Sequence, residues 1–402
     1  MFTCLAVCAH QLSQIAQSAK MKNDNKTKHI GKVSSLRKTP WDNKKNRTPL
    51  ENFIMEHTRK TYESHHEKLI ASGESEVLNH LKIDTCPYCG SPRFIKRGKN
   101  INGVQKYKCS LCYKIFNPLS GTLLDNHKLS IKEWIDWLRY TIRYQSFNTV
   151  SKDNKNSMTT TKYRLEKLFI ALSDWQETFV LDDVVYIDET YYSVVQNEIK
   201  RKEDGTKYRG INNNQYDIAV GVDSKGLVYA VVSGKGKPSD ARTKKAFSKH
   251  IKKGSTLIHD GELSHNSLIE KLELKSEVHT TEETSGLKDK DNPLKPINEV
   301  IRALKTFLNS HKGFNREYLQ NYLNLFVFIY GKPHDENMKV LALLQLIIRY
   351  REILKYRDFF KKNVLKTEKN ASNDKKLRWN QYSYHSCANK YFFEKDYFFS
   401  FE

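Results

Sequence analysis

The chain has 402 residues, with 68 Lys and Arg against 46 Asp and Glu and a formal net charge of +22. At roughly 100–200 residues per domain this length predicts two or three domains, each able to bury a core. The charge favours a polyanionic partner, of which DNA and RNA are the commonest, over a membrane. The longest apolar run, Leu341–Ile348, falls far short of the roughly 20 residues of a spanning helix.

Residues 1–50 read as a flexible basic arm, because the stretch from Met21 onward is rich in Lys, Asn and Thr and too poor in apolar positions to offset the entropy of ordering. The short apolar run near Leu5 has no basic segment ahead of it, so no secretion signal is expected, and Met21 is an alternative start. Residues 51–82 read as a helical lead-in through Phe53, Ile54, Thr58, Tyr62, His65 and Leu69.

Residues 83–117 carry the most specific local signal. Cys86-Pro87-Tyr88-Cys89 and Cys109-Ser110-Leu111-Cys112 have the spacing of two zinc knuckles, each placing two thiolates on one side of a tetrahedral ion. An Asn102-Gly103 turn and the alternating stretch Val104–Lys108 supply a hairpin between them. The expectation is a zinc ribbon with one structural Zn2+, against the plainer alternative of four unrelated thiols. Cys4, Cys8 and Cys387 have no visible partners. Zinc thiolates need a reducing compartment, which predicts a cytoplasmic protein.

Residues 118–178 switch to helical periodicity. Ser130 and Glu133 form a capping box opening a helix over 131–144, with Ile131, Trp134, Ile135, Leu138 and Ile142 on one face. A short helix over 146–152 and a third from Ser157, carrying Leu165, Leu168 and Leu172, complete a helix-turn-helix-like segment. Thr159, Thr160, Thr161, Lys162 and Arg164 would then be DNA-binding residues at the exposed start of the recognition helix. The alternative is a helical linker with a solvated basic face.

From residue 179 to 331 the predicted order is strand, hairpin, helix, strand, helix, strand, helix, which is that of an RNase H-like α/β domain. Its elements are a strand at 184–188, a hairpin over 216–233 turning at Ser224-Lys225-Gly226, a helix at 239–251, a strand at 255–259, a helix at 264–272, a short strand at 277–280 and a helix at 297–308. Residues 332–402 read as one long helix over 337–360 followed by an aromatic tail. The fold class expected is therefore α+β and multi-domain.

Asp188 and Asp260 stand where two of these strands end, and a carboxylate there is costly unless a cation or donors balance it. They are candidate metal ligands, although Asp260 before Gly261 also suits a simple turn. Asn298 and Lys305, seven residues apart on one helical face, would offer a carbonyl oxygen to a cation and a charge to a phosphate, or would merely be solvated polar groups. Glu299 is the reserve third ligand, and Glu189 and Glu262 either face away or support their neighbours.

Four strings together carry a family resemblance: Tyr186-Ile187-Asp188-Glu189-Thr190-Tyr191-Tyr192, then Ile258-His259-Asp260-Gly261, then Asn298 with Lys305, then Gly313-Phe314 with the stretch from Tyr318 to Phe326. With the cysteine quartet they resemble insertion-sequence DDE-type transposases of the zinc-ribbon group, the ISXO2-like family, over about residues 80–330. In much of that group an Asn stands three residues before the third ligand, where this chain has Lys295. The resemblance implies a catalytic set of Asp188, Asp260, Asn298 and Lys305 with two Mg2+ or Mn2+ ions. It also implies binding to double-stranded DNA, both terminal inverted repeats and target DNA, strand cleavage and transfer, a homodimer or larger oligomer on DNA, and a bacterial, nucleoid-associated location. Two alternatives stand beside it: a zinc-ribbon DNA-binding regulator with an inert RNase H-like domain, and a nuclease of RNA–DNA hybrids.

Overall fold

The computed structural model describes residues 74–125 and 130–360, together with 48, 49 and 52. Residues 1–47 and 50 of the basic arm, 51 and 53–73 of the helical lead-in, Cys4, Cys8, Cys387 and the aromatic tail lie outside the described residues. The chain divides into two compact units, residues 1–133 with 348–402 and residues 134–347. Among the described residues no helix is long and apolar enough to cross a membrane.

The first unit contains helix α1 (Glu74–Asn79) and a three-stranded antiparallel sheet, β1 (Phe94–Lys99), β2 (Gln105–Cys109) and β3 (Ile115–Phe116). The expected hairpin turn forms, with Asn100 N donating to Val104 O and Gly103 at φ +76°, where a Cβ is disfavoured. Asn79 staples α1 to this turn, donating to Gly103 O at 3.0 Å and accepting from Gln105 N at 2.7 Å. The small core is aromatic: Phe94, Tyr107 and Phe116 meet with centroids 5.4 to 5.6 Å apart.

Helix α2 (Ile131–Ile142) spans the boundary between the units. Ser130 caps it as expected, accepting from Glu133 N at 3.1 Å. The carboxylate that finishes the cap comes from Glu74, which accepts from Ile131 N at 3.1 Å and Lys132 N at 3.0 Å.

In the second unit α3 (Phe147–Asp153) and α4 (Met158–Ala171) start at Ser146 and Ser157, each accepting an amide hydrogen bond three residues on. The mixed five-stranded sheet has the order β6-β5-β4-β7-β8. Its strands are β4 (Val184–Ser193), β5 (Gln215–Asp223), β6 (Val228–Lys235), β7 (Thr256–His259) and β8 (Lys275–Val278). The first three pair antiparallel and β4, β7 and β8 pair parallel, the arrangement expected of an RNase H-like domain. Edge strand β6 is protected by two glutamines. Gln176 accepts from Ala230 N and donates to Ala230 O, and Gln320 accepts from Val232 N.

Between and after the strands run α5 (Asp240–Phe247), α6 (Asn266–Leu272), the single turn α7 (Thr281–Thr284), α8 (Lys295–Ser310), α9 (Leu319–Tyr330) and α10 (Glu336–Arg349). Val185, Ile187, Ala219, Tyr229 and Leu257 pack on one sheet face with Phe247 of α5 and Leu268 and Leu272 of α6. Helix α8 lies against β4 and β5, burying Ile297, Val300, Leu304, Phe307 and Leu308. Tyr192 donates to Leu308 O, which assigns the even-numbered residues of β4 to the α8 face. The single helix expected over 337–360 is broken: residues 350–355 are not helical and 356–360 are. The apolar stripe ends at buried Ile347 while Ile353 is 40% exposed, so burial no longer holds the helix there.

Candidate active site and metal centres

Tyr186 of β4 is paired in parallel with Ile258 of β7. Two residues further on come Asp188, which lies within β4 and not at the strand end expected, and Asp260, just past the end of β7; alternation puts Asp188 on the α8 face, and the two acids are close enough for their charges to interact. Burial, and then the charge of Asp260, push Asp188 up to about 7. Each acid also accepts a local amide, Glu189 N at 2.7 Å to Asp188 and Glu262 N at 3.0 Å to Asp260. Two neighbouring carboxylates, one of them buried, are a donor set that fits a divalent cation.

Next to these acids, on the α5 and α6 face, lies a cluster the sequence reading missed. His265 is fully buried, with Nε2 3.2 Å from Glu189 Oε1 and Nδ1 2.9 Å from His259 Nδ1. His259 also reaches Ser276 Oγ at 3.0 Å through Nε2 and accepts from Gly261 N at 3.1 Å through Nδ1. Ligand atoms of His259, Asp260 and His265 lie within 4.8 Å of one another. Burial alone would lower His265, but Glu189 and the two aspartates raise it, whereas burial and the His265 charge drop His259 to about 4. The signal was available as two histidines flanking Asp260 in His-Asp-Gly-Glu-Leu-Ser-His. A helix was expected from Ser264, but a 3-10 turn at Leu263–His265 precedes α6 and turns His265 inward. Glu189 is the supporting residue the sequence allowed for, while Glu262 pairs with Lys237 at 3.4 Å.

Asn298 is half-buried in the first turn of α8, and Lys305 is exposed two turns on. Glu299 is exposed and lies 3.8 Å from Lys295, four residues before it.

Of the five expected DNA-binding residues, Lys162 is exposed and Thr159 and Thr160 are half-buried. Thr161 and Arg164 are each only 1% exposed, which corrects the expectation that the whole set faces solvent. They share a helical face with Leu165 and Leu168, and the Arg164 guanidinium lies 5.5 Å from the Trp134 ring centroid.

The four ribbon cysteines converge. Their sulfurs lie within 4.8 Å of one another, with Cys86 and Cys112 at 3.7 Å and Cys89 and Cys109 at 3.5 Å. A tetrahedral zinc site with Zn–S near 2.3 Å has sulfur edges of about 3.8 Å, so the quartet fits the ion. The amides of Cys112 and Leu111 face Cys109 Sγ at 3.5 and 3.3 Å and lower that thiol to about 6.

Residues 180–330 match the family of ISXO2-like transposase domains. No curated protein matches the chain. Three solved structures illustrate the weaker likenesses. They are the catalytic domain of Mos1 mariner transposase (15% identity, 47% of this chain and 94% of that one, TM-score 0.23), a pre-cleavage Mos1 transpososome (13%, 52% and 76%, 0.21) and the Mos1 strand transfer complex (13%, 55% and 73%, 0.24). By its sequence, the segment from 180 to 330 that holds Asp188, Asp260, Asn298 and Lys305 is similar to an ISXO2-like transposase domain.

Proposed function

We propose that the chain is a DNA transposase that binds the terminal inverted repeats of an insertion sequence and carries out metal-dependent strand cleavage and transfer. The observation that carries this reading is the parallel register of β4 on β7, which sets Asp188 beside Asp260 inside the segment matched by the transposase domain family. Asp188 and Asp260 would hold Mg2+ or Mn2+, two ions in the full site, with Asn298 contributing its amide oxygen. Such ions, when bound, polarise a phosphodiester and activate an attacking oxygen.

The reach of α8 supports Asn298. Ten residues separate it from Leu308, about 15 Å of helix, and four residues of β4 separate Asp188 from Tyr192, about 14 Å of strand. Tyr192 touches Leu308, and in the proposed arrangement α8 runs alongside β4 in the direction of the strand, which would bring Asn298 level with Asp188. An amide in place of a third carboxylate leaves the site less negative, so DNA phosphate would complete the ion shell. Exposed Lys305 serves the phosphate.

DNA contact is supported by charge on the same unit. The connection from β4 to β5 exposes Lys200, Arg201, Lys202, Lys207 and Arg209. The ribbon with its one zinc and the first turns of α4, through exposed Lys162, would read the repeat ends, and a homodimer or larger assembly in the bacterial cytoplasm, on the nucleoid, would hold both ends.

The test is a strand-transfer assay with duplexes copied from the DNA flanking the gene. Mg2+-dependent cleavage and joining by the wild type, lost in Asp188→Ala and Asp260→Ala while duplex binding persists, is expected. Binding of end DNA without cleavage or joining by the wild type would replace this reading with that of a regulator carrying an inert domain.

A further inference from the structure

The buried cluster next to the acid pair has a fixed polarity. Gly261 N–H donates to His259 Nδ1, so that nitrogen is an acceptor and His265 Nδ1 must be the donor across the 2.9 Å contact. His259 Nε2 then carries the proton donated to Ser276 on β8. The remaining His265 nitrogen faces Glu189, and the two share a proton across 3.2 Å in a site from which water is excluded, since the side chains are 0% and 6% exposed.

The chain Glu189, His265, His259, Ser276 therefore crosses β4, β7 and β8 on one side of the sheet. Glu189 and His259 are the immediate neighbours of Asp188, which alternation turns to the other face of β4, and of Asp260, whose carboxylate lies within 4.8 Å of the His259 and His265 ring nitrogens. Strand pairing alone stops at Ile258 on the β4 side of β7. Past that point hydrogen bonds through His265 link β4 at Glu189 to the end of β7 at His259.

We propose that His265 is a positioning residue for the acid pair, tying Glu189 to His259 behind the sheet so that Asp188 and Asp260 present their oxygens to one divalent cation. The proposal rests on the reading of that pair as the cation site. Residues that orient metal ligands without touching the ion typically change metal affinity about 10–100-fold when removed.

The experiment uses the full chain with His265→Leu, His265→Gln and Glu189→Gln. Mn2+ affinity is read from the paramagnetic resonance signal of the free ion, and thermal melting is followed in parallel. The expected result is a loss of Mn2+ affinity of about 10–100-fold in His265→Leu, with partial recovery in His265→Gln, whose amide donates to one neighbour. Cleavage at saturating Mn2+ should return close to the wild-type rate, so the defect is one of metal concentration. A folded His265→Leu protein with wild-type Mn2+ affinity overturns the proposal, even if its melting temperature falls. Should His265→Leu fail to fold, Glu189→Gln removes the same charged hydrogen bond at constant shape and is held to the same two outcomes. Asp260→Ala separates the two levels. Unchanged Mn2+ affinity in that variant sinks the acid-pair reading, whereas its loss there, with wild-type affinity in the His265 variants, sinks the positioning role alone.

Discussion

Asp188 on β4 and Asp260 just past the end of β7 stand two residues beyond the paired Tyr186 and Ile258, and burial together with the Asp260 charge makes Asp188 harder to ionise. Asp188 is held at about 7 in the fold against 3.8 as an ordinary carboxyl. A raised folded value means that the native state binds the extra proton. Its stabilising contribution is complete below about pH 3.8 and is lost as the pH rises through about 7. At about 1.4 kcal/mol per pH unit, that interval bounds the effect at about 4 kcal/mol. Metal-free Asp188→Asn should therefore be more stable than the wild type at pH 8, by about 2–4 kcal/mol in urea unfolding, with the gap at least halved at pH 5. Mg2+ should stabilise only the wild type. Equal stability of the two proteins at pH 8 would show that the acids do not strain the fold.

The cysteine quartet predicts one zinc per chain. Cys109 and Cys86 are buried and form part of the same small core as Tyr107 and Phe116, so a zinc ion held there would brace the aromatic cluster. A sheet of three short strands has too little apolar area to fold without such a clamp. Elemental analysis should give about one equivalent of zinc, falling to near zero in Cys109→Ser. Limited proteolysis should then open residues 83–117 while leaving 179–331 resistant. Retention of a protected 83–117 fragment after chelation would argue that the thiols are structural without metal.

The cap on α2 is a test of long-range local structure. Glu74 supplies both oxygens to the amides of Ile131 and Lys132 from a helix 57 positions earlier. Glu74→Ala should cost about 1–2 kcal/mol in urea unfolding, and Glu74→Gln, which keeps an acceptor but not the charge, about half of that. An unchanged midpoint in both variants would mean that Ser130 alone suffices.

These examples mark what the sequence could carry. Asp188 and Asp260 stood out because an apolar stretch, Val-Val-Tyr-Ile or Thr-Leu-Ile-His, precedes each acid, and the succession of strands and helices followed from the same pattern; β4 nevertheless runs on to Ser193, so Asp188 lies within its strand and not at its end. The quartet was legible from spacing alone. Glu74 was not, since a capping box is a short-range signal and the second carboxylate arrives through tertiary folding. Helix α9 was also missed by periodicity: nine of its residues, from Leu319 to Ile329, are buried, so no polar stripe marks a helical period. His265 escaped for a related reason, because a buried histidine and a solvated one look alike until its neighbours are known. Arg164 shows the reverse error, a basic residue read as surface although it lies on the inner face of its helix.

The two basic residues near the start of α4 should therefore separate cleanly. Lys162 is exposed, so Lys162→Ala should weaken duplex binding severalfold, lower the salt slope of log K by about one and leave the melting temperature unchanged. Arg164→Ala removes a buried cation packed on Trp134 and should lower stability by about 2–4 kcal/mol. Its binding loss should follow only from unfolding. Filter binding over a salt series, paired with melting curves, checks both. A Lys162 variant with wild-type affinity and slope would favour the plain helical linker over DNA readout.

His311 gives the clearest acid-sensitivity prediction. Its ring is stacked on Phe147 at 4.5 Å and set edge-on to Phe307 at 4.8 Å, and neither nitrogen has a hydrogen-bond partner among the described residues. Burial lowers it to about 4 from 6.5. The folded state thus binds fewer protons than the unfolded one, and stability is lost as the pH falls from about 6.5 towards 4. The interval bounds that loss at about 3 kcal/mol. His311→Phe keeps the aromatic stack and removes two unpaired polar atoms, so it should gain about 1 kcal/mol at pH 7 and about 2–3 kcal/mol more at pH 4.5. Urea unfolding at the two pH values measures this directly. A variant less stable than the wild type at both would mean that water satisfies the imidazole inside the core, and the acid sensitivity would have to be sought at His259.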